Sequence, residues 1–298
     1  MTAIRIVDAG SFRASVLCGL IGQGISGSRS PEIHEREARA LGIPMVYRIL
    51  DADVLGYDAD GLAQLLDQLA AMGFDGVNVT HPFKQAVLPL LDGLSDAASA
   101  LGAVNTILFR DGRRHGDNTD WSGYRAHFLA GLGDRPRTRV ALIGAGGAAA
   151  AVGYAHCDLG AQSLAIFDPA PERAYALAQR LGALFPKVQM RVAATAAEAL
   201  AGAEGVVQAS PIGMLSHPGL PFPPQLLEPA MWVSDIIYFP LETELLKAAA
   251  TKGCATLNGG GMVVMQAAQA FALFTGNEAE RDRMLAEFAV SSARKAAP

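Results

Sequence analysis

The sequence predicts an α/β fold in two domains, with the last helices returning to the first. Three observations carry this. Apolar runs of strand length alternate with stretches of helix length from Ser15 onwards, and the rhythm restarts at Arg139 with six further strand candidates. A glycine-rich turn at residues 144–149 then stands between a strand and an alanine-rich helix. Of 298 residues, 51% are hydrophobic and 18% charged, so the apolar supply suffices for two packed cores.

In the first half, residues 15–22 read as a strand. Ser30 and Pro31 supply an N-cap and a proline at the first helical position, and Gly42 ends that helix. Residues 45–50 form a second strand, 61–72 an amphipathic helix, and 76–80 a third strand, after which Pro82 opens another helix. Residues 104–109 make a fourth strand, with a turn at Asp111-Gly112. This order implies an open, largely parallel sheet with helices on its faces. In the second half the strand candidates are 139–143, 163–167, 189–193, 205–209, 232–238 and 254–257, with helices such as 172–184 between them. Residues 262–275 form a further helix ended by Gly276, and Asn277 with Glu280 reads as a capping box for a last one. Residues 131–136 are a linker or surface loop. The expected division is 1–120, completed by 262–298, and 121–261.

Composition excludes several classes. The formal net charge is −5 and no basic run exceeds pairs such as Arg113-Arg114, which disfavours a nucleic-acid partner. Cys18, Cys157 and Cys254 are far apart and form no CxxC pair, so reduced buried thiols in a cytoplasmic protein are expected, without a disulfide framework or a metal site. The first twenty residues carry Arg5, Asp8 and Arg13 and no clean apolar core, so no signal peptide is read there. The apolar stretch 140–154 is too short and glycine-broken to span a membrane.

The turn reads Gly144-Ala145-Gly146-Gly147-Ala148-Ala149, a G-x-G-x-x-A pattern directly after a strand and before a helix. Gly144 permits the tight turn, Gly146 lets the backbone approach a diphosphate, and Ala149 lets the helix sit close to the sheet. The strand–turn–helix context makes dinucleotide binding on a Rossmann-type sheet the better reading than a ligand-free glycine turn. Asp168 follows the second strand, where a carboxylate can accept hydrogen bonds from ribose hydroxyls and repel a 2′-phosphate, which favours NAD over NADP. The alternative is that Asp168 only caps the turn at Pro169.

Four polar clusters in the first half fall at expected strand or helix ends: Ser28-Arg29-Ser30-Pro31, Asn78-Val79-Thr80-His81-Pro82-Phe83-Lys84, Ala103-Val104-Asn105-Thr106, and Asp117-Asn118-Thr119-Asp120. In that order, with the glycine turn, Tyr238-Phe239-Pro240-Leu241-Glu242-Thr243 and the Gly261-Met262 to Gln266-Ala267 segment, they closely resemble the shikimate dehydrogenase family over nearly the whole chain. The His-Pro-Phe-Lys variant and Asp168 resemble its NAD-using quinate/shikimate branch.

The resemblance implies reversible oxidation of a ring hydroxyl of shikimate or quinate. It implies Lys84 and Asp120 as the catalytic pair and Ser28 and Ser30 as ligands of the substrate carboxylate. Thr80, Asn105, Tyr238 and Gln266 would contact the substrate's carboxylate or hydroxyls. Gly144, Ala145, Gly146, Gly147, Ala148, Asp168 and Gly261 would hold the dinucleotide. Hydride removal from a carbinol requires its hydroxyl proton to leave, and a positioned side chain within hydrogen-bond reach can take it. An ammonium beside a carboxylate stays charged, so the expected device is a coupled pair, the Lys84 cation polarising the oxygen.

The sequence departs from the family pattern at Gln208, where an asparagine is usual, and at Ser30, where NAD-using quinate enzymes often carry threonine. Quinate, shikimate and amino analogues all remain open as substrates, as does NADP as cofactor. A monomer and a homodimer are both compatible with the sequence. A ligand sensor without turnover is disfavoured because both members of the Lys84–Asp120 pair are present. A folate-type dehydrogenase is disfavoured by the Ser28–Ser30 site.

Overall fold

The computed structural model describes residues 15–296, with side chains described through Phe288. The sequence reading of residues 1–14, including Arg5, Asp8 and Arg13, lies outside the described residues, as do the last two positions of the first expected domain.

The first unit runs β1 (Val16–Gly22), α1 (Ser30–Ala40), β2 (Met45–Asp51), α2 (Ala52–Leu55), α3 (Leu62–Ala71), β3 (Gly76–Val79), β4 (Gly93–Leu94), α4 (Asp96–Leu101), β5 (Thr106–Arg110) and β6 (Arg113–Asp117). Its strand order is β2-β1-β3-β5-β6-β4. β1 is parallel to β2 and β3, while β5 is antiparallel to both β3 and β6. The β5–β6 hairpin turns at Asp111 and Gly112, both with positive φ (51° and 71°), which matches the twist of its strands. This reversal positions the site. Asn78 stands opposite Thr106, and Thr106 opposite Asp117, so the start of β5 and the end of β6 reach the edge where β1, β2 and β3 end.

α5 (Asp120–Leu132) leads into β7 (Arg139–Ile143), α6 (Gly147–Asp158), β8 (Ser163–Phe167), α7 (Pro171–Leu184), β9 (Gln189–Val192), α8 (Ala196–Leu200), β10 (Gly205–Gln208), β11 (Trp232–Asp235), α9 (Glu244–Thr251) and β12 (Ala255–Leu257). These strands are all parallel in the order β12-β11-β10-β7-β8-β9. That is the doubly wound dinucleotide order, whose chain direction switches between β7 and β10 and leaves a crevice at their carboxyl ends.

α10 (Gly260–Thr275) and α11 (Arg281–Ala296) return to the first sheet. Phe274 packs with Cys18, Leu20 and Tyr47, and Phe271 stacks on the His34 ring. Met284 and Phe288 of α11 pack with Ile33 and Val264. Each buried phenylalanine contributes about 1.5–3 kcal/mol through the apolar area it removes from water. A buried Glu37 fixes α11 to α1 by receiving two hydrogen bonds from Arg283, at 2.6 and 2.9 Å.

Three local expectations are corrected. Pro82 opens no regular helix: the chain makes turns over residues 81–87 and one 3-10 turn at Leu88–Leu90, where Pro89 lacks the N–H that a continuing α-helix would need. Ser30 is the first residue of α1 and not its cap; the Ser28 hydroxyl instead accepts from Ser30 N. Asn277 bonds back to Thr275, and the Glu280 carboxylate alone receives the N–H groups of Asp282 and Arg283.

Candidate active site

The centre of the site is a locked set of side chains at the edge of the first sheet. Lys84 Nζ donates to Asp120 Oδ2 at 2.6 Å. The Lys84 side chain is 28% exposed and that of Asp120 7%, so the ammonium faces the crevice and the carboxylate lies behind it. Asp120 begins α5, and its N–H donates to Asn118 Oδ1. Asn105 fixes the other carboxylate oxygen: its Nδ2 donates to Asp120 Oδ1 and to Thr119 Oγ1, both at 3.0 Å, and reaches Gln266 Oε1 at 3.5 Å. The amide orientation of Asn105 is itself determined, because its Oδ1 accepts from Thr119 N at 2.8 Å and from Thr106 Oγ1 at 3.0 Å. The backbone does the rest: Val104 N donates to Lys84 O and Asn105 N to Asp117 O, tying the three polar segments together. α10 comes close enough to contribute Gln266 because α5 presents Gly123 to it; a Cβ there would lie 2.6 Å from Gln266 N.

A second set lies beside the first. Ser28 Oγ donates to Ser30 Oγ at 3.2 Å, which brings together the two hydroxyls expected for a carboxylate. Beneath them Tyr47 is fully buried and donates to Asn78 Oδ1 at 2.7 Å, with the Ser30 hydroxyl also facing the phenol. Burial pushes the Tyr47 phenol well above its usual range, so it remains a neutral donor. Asn78 passes the link on, its Nδ2 donating to Asn105 O and Thr106 Oγ1. Thr80 adjoins this floor, with its N–H on Ile21 O. Tyr238 stands apart in the loop after β11, 53% exposed.

The glycine turn stands at the carboxyl end of β7 in the second sheet. Gly144 has φ +101°, and a Cβ there would meet Ala209 at 2.9 Å, so only glycine fits. Open space lies over Gly146 and Gly147, and no side chain caps the start of α6, which leaves its first N–H groups directed at whatever occupies the turn. Ala148 lies in that first turn of α6, and Ala149 behind it is fully buried. Asp168 Oδ2 accepts from Ala145 N at 2.8 Å and Oδ1 from Ala170 N at 2.9 Å; the carboxylate braces the turn and caps the next segment, with lone pairs left over. These features suit a diphosphate and a ribose. Gln208, which stands where the family usually has asparagine, is fully buried and devotes its amide to its own loop, bonding Ser210 and Ile212.

Gly261 packs on the His127 ring, whose Nε2 donates to Asn258 O at 2.8 Å. Burial lowers the His127 imidazole below its ordinary range, keeping it neutral. Sequence reasoning missed His127, which stands in no motif. It also missed Tyr47, whose aromatic character in a strand reads as plain core, and Asp235. The buried Asp235 carboxylate holds both ends of the Tyr238 loop, accepting from Ile237 N at 3.1 Å and from Thr243 Oγ1 at 2.7 Å. Among the described residues no group of three or more His, Cys, Asp or Glu is placed to hold a metal ion, and no helix is long and apolar enough to cross a membrane.

Comparison with known proteins agrees with this geometry. Residues 20–107 match the family model of the shikimate dehydrogenase substrate binding domain. The shikimate dehydrogenase (NADP(+)) of Streptomyces avermitilis is 50% identical over 277 residues, covering 92% of this chain and 95% of that protein. The quinate/shikimate dehydrogenase (NAD(+)) of Corynebacterium efficiens is 46% identical, covering 92% and 98%. A solved structure of quinate dehydrogenase from Corynebacterium glutamicum in complex with NAD superposes with a TM-score of 0.87 at 45% identity, over 93% of this chain and 99% of that one. With identity of this degree over 92% of its length, the chain belongs to the shikimate dehydrogenase family.

Proposed function

We propose that this protein is a dehydrogenase that uses NAD to interconvert a ring hydroxyl and a ketone, shikimate with 3-dehydroshikimate and quinate with 3-dehydroquinate. The observation that carries the proposal is the Lys84–Asp120 pair at 2.6 Å, braced by Asn105 and facing the crevice of a dinucleotide-type sheet. NAD, when bound, supplies the hydride acceptor. The chain's own groups handle the rest. Lys84 polarises the reacting oxygen, and its proton leaves through the coupled Lys84–Asp120 pair. Ser28 and Ser30 donate to the substrate carboxylate, while Thr80, Asn105, Tyr238 and Gln266 orient the ring. Gly144, Ala145, Gly146, Gly147 and Ala148 hold the diphosphate, and Gly261 lies beside the nicotinamide.

Asp168 supports NAD, because a carboxylate at the ribose repels a 2′-phosphate. The relative from Streptomyces avermitilis, named as an NADP enzyme, favours the second reading, in which NADP is used. The proposed working units are 1–120 completed by 262–298 for the ring acid, and 121–261 for the dinucleotide. Absorbance at 340 nm with shikimate and quinate, each crossed with NAD and NADP, tests the reaction and the cofactor. Reduction of NAD well above NADP is the expected result. Preference for NADP would overturn the role given to Asp168, and no turnover in any combination would overturn the dehydrogenase reading.

A further inference from the structure

Asp51, the last residue of β2, is buried, yet among the described residues no cation pairs with it. Its carboxylate is filled by three donors from the loop after β1 and one from the start of α2. Oδ1 accepts from Gly24 N at 2.9 Å and from Asp53 N at 3.2 Å, and Oδ2 from Ile25 N at 2.8 Å and Ser26 Oγ at 2.6 Å. Four donors match the four acceptor positions of an ionised carboxylate. The Ser26 hydroxyl, helped by the three backbone N–H groups, holds Asp51 below the usual carboxylate range.

The loop so gathered is the one that delivers Ser28 and Ser30. Ile25 O accepts from Ser28 N at 2.8 Å, and Ser28 Oγ accepts from Ser30 N at 3.3 Å. On its other flank the loop is tied to the turn between Thr80 and Lys84, through Gln23 N donating to His81 O at 3.0 Å. The loop is thus clamped between Asp51 and the segment that carries the reacting-end lysine.

We infer that Asp51 is a positioning residue: its carboxylate fixes the separation between the Ser28–Ser30 hydroxyls and the Lys84–Asp120 pair, and thereby selects ring acids whose carboxylate and reacting hydroxyl match that separation. The inference rests on the reading of Ser28 and Ser30 as the carboxylate site. An asparagine at position 51 would turn an NH2 group against two of the four donors, donor facing donor, while leaving the Lys84 side of the crevice intact. Ser26→Ala would remove a single bond.

The test is steady-state kinetics of the full chain and of the Asp51→Asn and Ser26→Ala variants, varying shikimate and NAD separately, with thermal unfolding measured alongside. The expected result is a KM for shikimate raised about tenfold or more in Asp51→Asn and about two- to threefold in Ser26→Ala, with kcat changed less than about threefold and KM for NAD unchanged. An unchanged KM for shikimate in an active Asp51→Asn enzyme would overturn the inference. So would a fall in kcat alone that follows lost folded protein. Should Asp51→Asn fail to fold, Ser26→Ala decides by the same criterion. Wild-type protein without turnover of either acid would overturn the dehydrogenase reading and this inference with it, whereas normal wild-type turnover with unmoved variants sinks the inference alone.

Discussion

At the edge of the first sheet the groups facing the crevice are side chains bonded to one another, whereas at the edge of the second they are main-chain N–H groups around glycines. Lys84, Asp120, Asn105, Thr119 and Gln266 share one hydrogen-bond network, and Tyr47 and Asn78 extend it beneath Ser28 and Ser30. The turn at Gly144 has few side chains to bond; it has a positive φ, open space and an uncapped helix start. The difference follows from the ligands. A ring acid must be held at several polar points and have a proton moved, which needs particular side chains in fixed orientations. A diphosphate needs dense, close N–H donors, which the backbone supplies best where no Cβ intervenes.

The comparison can be broken by substitution. Lys84→Ala should lower kcat by about a hundredfold or more while leaving NAD binding, read by protein fluorescence, in place; near-normal turnover would remove the pair from the chemistry. Gly144→Ala, an equally small change, should act on the other ligand. With φ at +101° and Ala209 in the way, it should raise KM for NAD about tenfold or more and leave KM for shikimate unmoved. A rise in both constants would show that the two edges are not separable.

The smallest effect concerns Asp235, which with Asp168 and Gln208 is one of the side chains that brace the second edge. Burial raises its carboxyl from 3.8 to about 6, against the Thr243 hydroxyl and the Ile237 N–H. A raised carboxyl favours the fold while protonated, so its contribution is full below about pH 4 and is lost as pH rises through about 6. Burial pushes His34 and His156 the other way, from 6.5 down to about 3, so their contribution is full above 6.5 and is lost as pH falls. Asp235→Asn should therefore gain stability relative to the wild type between pH 4 and 7, by roughly 2 kcal/mol at most. Urea midpoints at four pH values measure it, and a difference constant across that range would rule out the carboxyl as its source.

Much of this was legible beforehand because the signals were local. The strands 139–143 and 163–167 were bounded to the residue by apolar runs, and Gly144 by its turn chemistry. What escaped was contextual. Pro82 opened turns and not a helix after β3. The β6 strand, Arg113–Asp117, carries mostly polar residues and gave no apolar signal, although the Asp111-Gly112 turn before it was read correctly. Lys84 and Asp120 stood out through a recognisable pattern. Tyr47, Asp51 and Asp235 did not, because their significance lies in what they touch across the fold and not in their neighbours along the chain.

α10 has its first turn beside Asn258 and His127 and its last against Tyr47 and Cys18. The nucleotide sheet is therefore an insert, threaded between two pieces of the unit that it serves. Chimeras that exchange cofactor preference between relatives need two cuts, one in the turn before β7 and one between β12 and Gly259. A single-junction fusion would carry away α10 with the donor sheet, strip Phe271 and Phe274 of the residues they cover, and move Gln266 off Asn105.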